Sequence, residues 1–372
     1  MKVLQLTVHL FPNIGGVETH LNDLFIALIK RGWKVVVLTY QPLSTNTDWK
    51  VVEKNGELTI LRMPWLRGFF EKLVHHPVIE FIYLVPGLFL ITPFLIIFYR
   101  PNVIHAHGIS AAVSAVCWGN IFRIRTVVSL HSLYSFPKSG MYHDFVQFLL
   151  KKSDFVLSLS KKSNQEVRLL GIDDKKTAVF TYWINLQRFK YTPDAKKKLG
   201  WERKFIVLFV GRLIEEKGIK PLVEAAYLWN NKINLVVIGS GSMEEYVLKK
   251  AKERTNIFFI GKVNQNDLQI YYSAADCVIV PSVSEEGFGR VIIESLSCNT
   301  PVIASDRGAT REAMDETVGE FIDVSPENIK QAVEQLYKNP QKLKDYAKRT
   351  RKFVERRYSE NNVQTITEAY KG

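Results

Sequence analysis

The sequence predicts a doubly wound α/β protein built as two domains. Three observations carry this. Short apolar runs rich in Val, Ile and Leu recur along the chain, and helical or loop segments separate most of them. A parallel sheet with crossover helices produces that alternation. The alternation stops in a polar, lysine-rich, strandless stretch between Tyr182 and Glu202, and then restarts. The length, 372 residues, exceeds what one ordinary core serves. The expected domains are 1–185 and 200–355, facing each other across a cleft between strand C-terminal ends, where open α/β sheets hold ligands. The charged tail turns helical, and its last part, about 356–372, is expected to pack back on the first domain.

Taken in order, Val3–Val8 is an apolar strand, FPNIGG a turn-rich loop, and THLNDLFIALIKRG a helix with a Gly stop. The runs WKVVVLTY, ELTILRMP, NVIHAH, RTVVSL, DFVLSLS and TAVFTY read as the remaining strands of the first sheet. The second half opens with the strand KFIVLFVGR and a helix from about Lys220. INLVVIGSG, a helix from Met243, NIFFIG and a short helix over Leu268–Ala274 follow. CVIVPS, the helix containing Glu294, and PVIAS complete it.

Composition narrows the classes. A hydrophobic share of 47% beside 23% charged residues fits a core-forming protein and excludes disorder. Three scattered cysteines exclude a disulfide framework or zinc site and point to a reducing compartment; the opening MKVLQLTVHL lacks the features of a secretory signal, so a cytoplasmic home is expected. The net charge of +13 is consistent with a solvated basic surface, an anionic substrate or an anionic membrane face. Nucleic acid ranks last, because no zinc-finger spacing or aromatic RNA-binding signature accompanies the charge. Residues 81–99, FIYLVPGLFLITPFLIIFY, carry no charge over nineteen positions, near the length of a spanning helix. Pro86, Gly87 and Pro93 interrupt them. Aromatic ends and the upstream WLRGFFEKLVHH favour an element lying on or dipping into a bilayer, with a buried helical hairpin next and a true span last, since the chain on either side reads as one continuous domain.

Three motifs carry chemistry. VVIGSGSME at 236–244 follows a strand and opens a helix, but Glu244 stands where a dinucleotide fingerprint needs its third glycine. Gly239 and Gly241 mark a loop able to approach a ligand closely. GRLIEEKG at 211–218 brings Gly211 to the sheet edge and sends Arg212 and Lys217 off the loop, a pair suited to adjacent phosphates; local ion pairs with Glu215 and Glu216 are the structural alternative. EEGFGRVIIE at 285–294 sets Glu286 on a loop and Glu294 inside a helix. Backbone amides of Gly287, Phe288 and Gly289 lie at the helix N-terminus, which suits a diphosphate. Glu294 then fits ribose hydroxyls and Glu286 the groups beyond the phosphates, the order found in a nucleotide sugar.

These stretches, together with PNIGGVETHLNDLFIALIKRGWKVVVLT, IHAHG and TPVIASDRGATRE, resemble the retaining glycosyltransferases of family 4, which have the GT-B fold of two Rossmann-like domains. The resemblance covers nearly the whole chain. PNIGGVE and HSLYSF look most like the N-acetylglucosaminyltransferases that begin glycosylphosphatidylinositol synthesis and other lipid- or polysaccharide-directed members. It implies that Arg212 and Lys217 hold the donor diphosphate, that Glu294 binds the ribose and Glu286 the sugar, and that His131 contacts the donor sugar. Gly15 and Gly16 would belong to a loop closing over phosphates and acceptor. Asn299 replaces the usual glycine of Cys-Gly-Thr-Pro and is expected in the left-handed region; Gly308-Ala309 replaces a Gly-Gly pair.

The resulting expectation is a hexosyltransferase-like enzyme using a UDP- or GDP-sugar and an acceptor hydroxyl on a lipid-linked molecule or growing glycan. No D-x-D sequence occurs, so no bridging metal is expected, and no cofactor beyond the donor itself. A nicotinamide-linked oxidoreductase and a non-catalytic nucleotide- or lipid-binding protein stand as alternatives.

Overall fold

A computed structural model describes residues 1–13, 15–43, 47–66, 77–134 and 136–372. The chain divides into two compact units, Met1–Trp183 with Glu360–Gly372, and Ile184–Ser359.

The first unit is an eight-stranded sheet in the order β3-β4-β2-β1-β5-β6-β7-β8. Its strands are β1 (Lys2–Thr7), β2 (Lys34–Tyr40), β3 (Val52–Asn55), β4 (Leu58–Met63), β5 (Val103–His107), β6 (Arg125–Leu130), β7 (Phe155–Ser158) and β8 (Thr177–Val179). The central strands are buried along their length, which is why they read as continuous apolar runs. Helix α1 (Gly16–Lys30) connects β1 to β2. Helices α2 (Pro77–Tyr99), α3 (Ile109–Phe122), α4 (Met141–Lys152) and α5 (Lys161–Leu169) follow β4, β5, β6 and β7 in turn. The apolar run 81–99 therefore forms one long helix rather than a hairpin. Most of the basic segment upstream of it, 67–76, lies outside the described residues.

Among the described strands only β3 runs antiparallel, paired to β4 through a Gly56-Glu57 turn. The sequence reading omits this strand because VEKN is polar and mostly exposed; Asn55-Gly56 was its one hairpin signal. The C-terminal helix, Val363–Lys371, belongs to this unit, and its Tyr370 is buried.

The second unit is a six-stranded parallel sheet, β11-β10-β9-β12-β13-β14. The strands are β9 (Phe205–Val210), β10 (Ile233–Ile238), β11 (Ile257–Gly261), β12 (Cys277–Val280), β13 (Val302–Ser305) and β14 (Gly319–Ile322). Helices α6 (Ile219–Leu228), α7 (Glu244–Glu253), α8 (Leu268–Ala274), α9 (Arg290–Ser297), α10 (Pro326–Lys338) and α11 (Pro340–Arg357) flank it. Its core centres on Val207, Leu235, Ile279 and Ile303. Asn299 sits just past α9 at φ 63°, in the left-handed region that its place in the turn requires.

Candidate active site

In the second unit, loops after β9, β10, β12 and β13 gather at the C-terminal edge of the sheet. They are laced by backbone. Gly211 N–H donates to Ile238 O at 3.1 Å, and Leu213 N–H to Ser240 O at 2.9 Å. A Cβ on Gly239 would lie 1.8 Å from Gly211 O, and one on Gly241 would lie 2.5 Å from Leu213 O. The close approach demanded of both glycines is thus toward the neighbouring loop, which they hold in place. Gly218 presses on Pro281 O in the same way, and Val283 N–H donates to Glu216 O at 3.0 Å.

This lacing brings Lys217 to Glu286, 69 positions away. Lys217 Nζ lies 2.5 Å from Glu286 Oε1, and Ser282 Oγ donates to the same oxygen. Neither Glu215 nor Glu216 is the partner of Lys217. Glu286 is buried, its Oε2 has no hydrogen-bond partner among the described residues, and its backbone is fixed by Ala309 N–H at 2.8 Å. Gly308, at φ 64°, packs on that backbone so closely that a Cβ would lie 2.2 Å from Glu286 O. Arg212 is exposed and has no ion-pair partner among the described residues.

Gly289 caps α9 in the left-handed region at φ 77°, leaving the first-turn amides to face outward from the helix end. Phe288 turns its ring inward, edge-on to Tyr358 at 5.6 Å, so its side chain serves packing. Within α9, Glu294 is buried and accepts from Tyr272 Oη at 2.9 Å and Arg290 Nε at 3.2 Å. Burial pushes its carboxyl above the usual range, while Arg290 and Tyr272 oppose that shift. Two of its roughly four acceptor positions are thereby used. Ser282, Tyr272 and Arg290 were not singled out from sequence, because nothing local distinguishes them from ordinary polar residues.

His131, Gly15 and Gly16 belong to the first unit. Gly15 is extended and precedes α1, with Thr19 Oγ1 donating to its carbonyl at 2.9 Å. His131 follows β6 and joins a buried chain that the sequence reading did not foresee. Gln5 Nε2 donates to Tyr370 Oη at 3.0 Å, so that hydroxyl donates to His105 Nδ1 at 2.7 Å, and His105 Nε2–H reaches Ser129 Oγ at 2.7 Å. On its other side, Gln5 Oε1 accepts from His107 Nε2–H at 2.7 Å. His107 Nδ1 then accepts from His131 Nε2–H at 2.9 Å, and Tyr182 Oη donates to His131 Nδ1 at 3.0 Å. Burial lowers the pKa of all three rings, that of His131 to about 3. Each ring is therefore neutral with one N–H, and the direction of the chain follows. Both nitrogens of His131 are occupied within the unit.

Comparison with known proteins places this geometry. The family model "Glycosyltransferase Family 4" matches residues 14–188, and "Glycosyl transferases group 1" matches residues 192–353. The chain is a glycosyltransferase of the GT-B fold. The glycosyltransferase is 27% identical to an uncharacterised glycosyltransferase of Methanocaldococcus jannaschii, over 88% of this chain and 86% of that one. It is 24% identical to the gpi3 subunit of the phosphatidylinositol N-acetylglucosaminyltransferase of Schizosaccharomyces pombe, over 96% and 81%. Sucrose-phosphate synthase from Thermosynechococcus elongatus shares its fold at a TM-score of 0.84 and 22% identity, covering 99% and 98% of the two chains. Anabaena HepE, solved in complex with UDP, does so at 0.78 and 20%, covering 99% of each. The oxidoreductase and non-catalytic readings fall with these matches.

Proposed function

We propose that the enzyme transfers a sugar from a nucleoside-diphosphate sugar, UDP- or GDP-linked, to an acceptor hydroxyl with retention of anomeric configuration. The observation that carries this reading is the meeting of Lys217 with Glu286, the lysine coming from the same 211–218 loop as exposed Arg212. Two cations and the α9 amides suit a diphosphate, and the open Oε2 of Glu286 suits a sugar hydroxyl. The remaining acceptor positions of Glu294 suit ribose hydroxyls. His131 touches the sugar only if the Tyr182 hydroxyl yields Nδ1.

In the transfer, the bond from the anomeric carbon to the phosphate oxygen breaks. The acceptor oxygen bonds to the same face of that carbon, and its proton passes to the departing phosphate. Arg212 and Lys217 stabilise the charge gathering on the leaving group, a role that needs no bridging metal and accords with the lack of a D-x-D sequence. The UDP complex of Anabaena HepE supports the donor class, and the S. pombe relative, named for phosphatidylinositol, supports a lipid-borne acceptor; a place on the cytoplasmic face of an anionic membrane belongs to this proposal.

A panel of nucleotide sugars read by mass spectrometry, followed by NMR of the product linkage, tests this. Near-wild-type transfer by both Lys217→Ala and Glu294→Ala would remove the donor site, and an inverted linkage would end the retention claim.

A further inference from the structure

The outward face of α2 is chemically wrong for water. Val78, Ile82, Leu90, Phe94 and Phe98 lie at four-residue steps with Pro86 between them, and Ile97 beside them, so they form a ridge that winds partway round the helix; the six are 62–78% exposed. A surface helix ordinarily turns polar residues outward, and one apolar all round belongs inside a core or against lipid. The window Val78–Tyr99 has a mean hydropathy of 2.4, yet only 33% of it is buried.

The inward face shows why α2 does not leave the domain to cross a bilayer. Pro93 has no N–H for Phe89 O, and Trp118 Nε1 from α3 donates there instead at 2.8 Å. Near Pro86, the Tyr40 hydroxyl from β2 inserts between two turns, accepting from Leu88 N–H at 3.3 Å and donating to Leu84 O. A Cβ on Gly87 would lie 2.5 Å from that hydroxyl, so the glycine admits it. Trp65 Nε1 serves Tyr83 O at 3.1 Å, and Ser114 Oγ serves Leu88 O at 3.1 Å. A helix withdrawn into hydrocarbon would forfeit all of these partners.

The apolar face continues onto its neighbours. Phe81 meets Phe145 of α4 edge-on at 5.5 Å, and a ring series Phe89–Trp118–Phe122 links α2 to the end of α3. Phe148 and Ile121 are exposed beyond them. The three helices all cross from one parallel strand to the next in the same direction, so their C-terminal ends share one edge. Each end carries exposed cations, namely Arg100, Arg123 and the Lys151-Lys152 pair, none with an ion-pair partner among the described residues.

We propose that α2, with the adjoining faces of α3 and α4, is a docking surface for an anionic lipid bilayer, with α2 lying in the membrane plane over roughly 34 Å. The cations at the three helix ends meet the headgroups, and the ridge enters the acyl boundary. This rests on the reading of a membrane-borne acceptor for its purpose. Its test uses neither donor nor acceptor, so the two readings fail separately.

The full chain is sedimented with vesicles of phosphatidylcholine, with and without phosphatidylglycerol. Binding is expected with phosphatidylglycerol at low salt, largely reversed at high salt. Phe94→Glu with Phe98→Glu should lower the partition by roughly tenfold or more, and Arg123→Glu with Lys151→Glu should remove the salt-sensitive share, circular dichroism and thermal midpoint being unchanged. Alkaline carbonate should release the bound protein. Absence of binding at any salt, binding indifferent to both variant pairs, or retention through carbonate would overturn the proposal. So would a concentration-dependent dimer that the phenylalanine variants abolish without any vesicle binding, which would assign the face to a second copy of the chain.

Discussion

Lys217 and Glu286 form a buried-side pair with Ser282 as third member. Removing the lysine leaves the carboxylate with one hydroxyl donor and takes a cation from the leaving group. Lys217→Ala is therefore expected to lower kcat/KM by about 10²–10³, with Glu286→Gln costing less than additively in the double variant; steady-state kinetics on all three decides. The pairing itself was not legible in sequence, where Glu215 and Glu216 are the nearer partners; only the lacing of Gly218 and Val283 onto the other loop brings Glu286 within reach. The histidine chain predicts a pH response. His105, His107 and His131 are neutral when folded and titrate near 6.5 when unfolded, so below that pH the unfolded chain binds more protons. Stability they support is present above pH 6.5 and lost as pH falls toward about 3, the folded value of His131. Urea midpoints for the first unit should drop between pH 6.5 and 5, and less steeply in His107→Gln.

At the scale of elements, strands buried on both sides announce themselves because most of their positions are apolar, the exceptions being polar groups that pair with one another. Helices α8 and α9 were equally plain. What escaped were β3, polar on an exposed edge, and β14, whose GEFI holds a glycine and a charge. The glycine-rich turn after β10 was legible as a place of close approach, but sequence could not say what approached. Since it is the loop bearing Arg212, Gly239→Ala should shift that loop and weaken nucleotide binding at least tenfold while leaving the first unit's unfolding unchanged. Isothermal titration with UDP and GDP reads the first effect, and an unaltered affinity for the base that binds would refute it.

For the whole molecule, the chain passes from the first unit to the second at Trp183–Ile184 and returns at Ser359–Glu360. The return is built into the first core by Tyr370, whose hydroxyl joins Gln5 to His105. Tyr370→Phe strands those two groups and should destabilise the first unit by roughly 1–3 kcal/mol per unpaired group, with no change in the second unit's transition. Separate unfolding probes, one in each unit, check this. The overall plan was readable because the alternation of strand and helix restarts after Tyr182, whereas the buried polar chain was not, since residues 5, 105 and 107 meet through the pairing of β1 with β5 and Tyr370 reaches them from the C-terminal helix.

The repair of α2 at Pro93 has a consequence for synthesis. Tyr40 and Trp65 precede the helix, but Ser114 and Trp118 are translated after it. For a second or more at ordinary elongation rates, the nascent stretch has the length and greasiness that an insertion channel accepts and lacks the partners that claim it for the domain. Pausing ribosomes once residues 77–99 have left the exit tunnel but before Ser114 and Trp118 emerge should raise the fraction of chains integrated into microsomes, and pulse-labelled translation would reveal it; an integrated fraction deaf to the pause would show that the earlier tyrosine and tryptophan suffice.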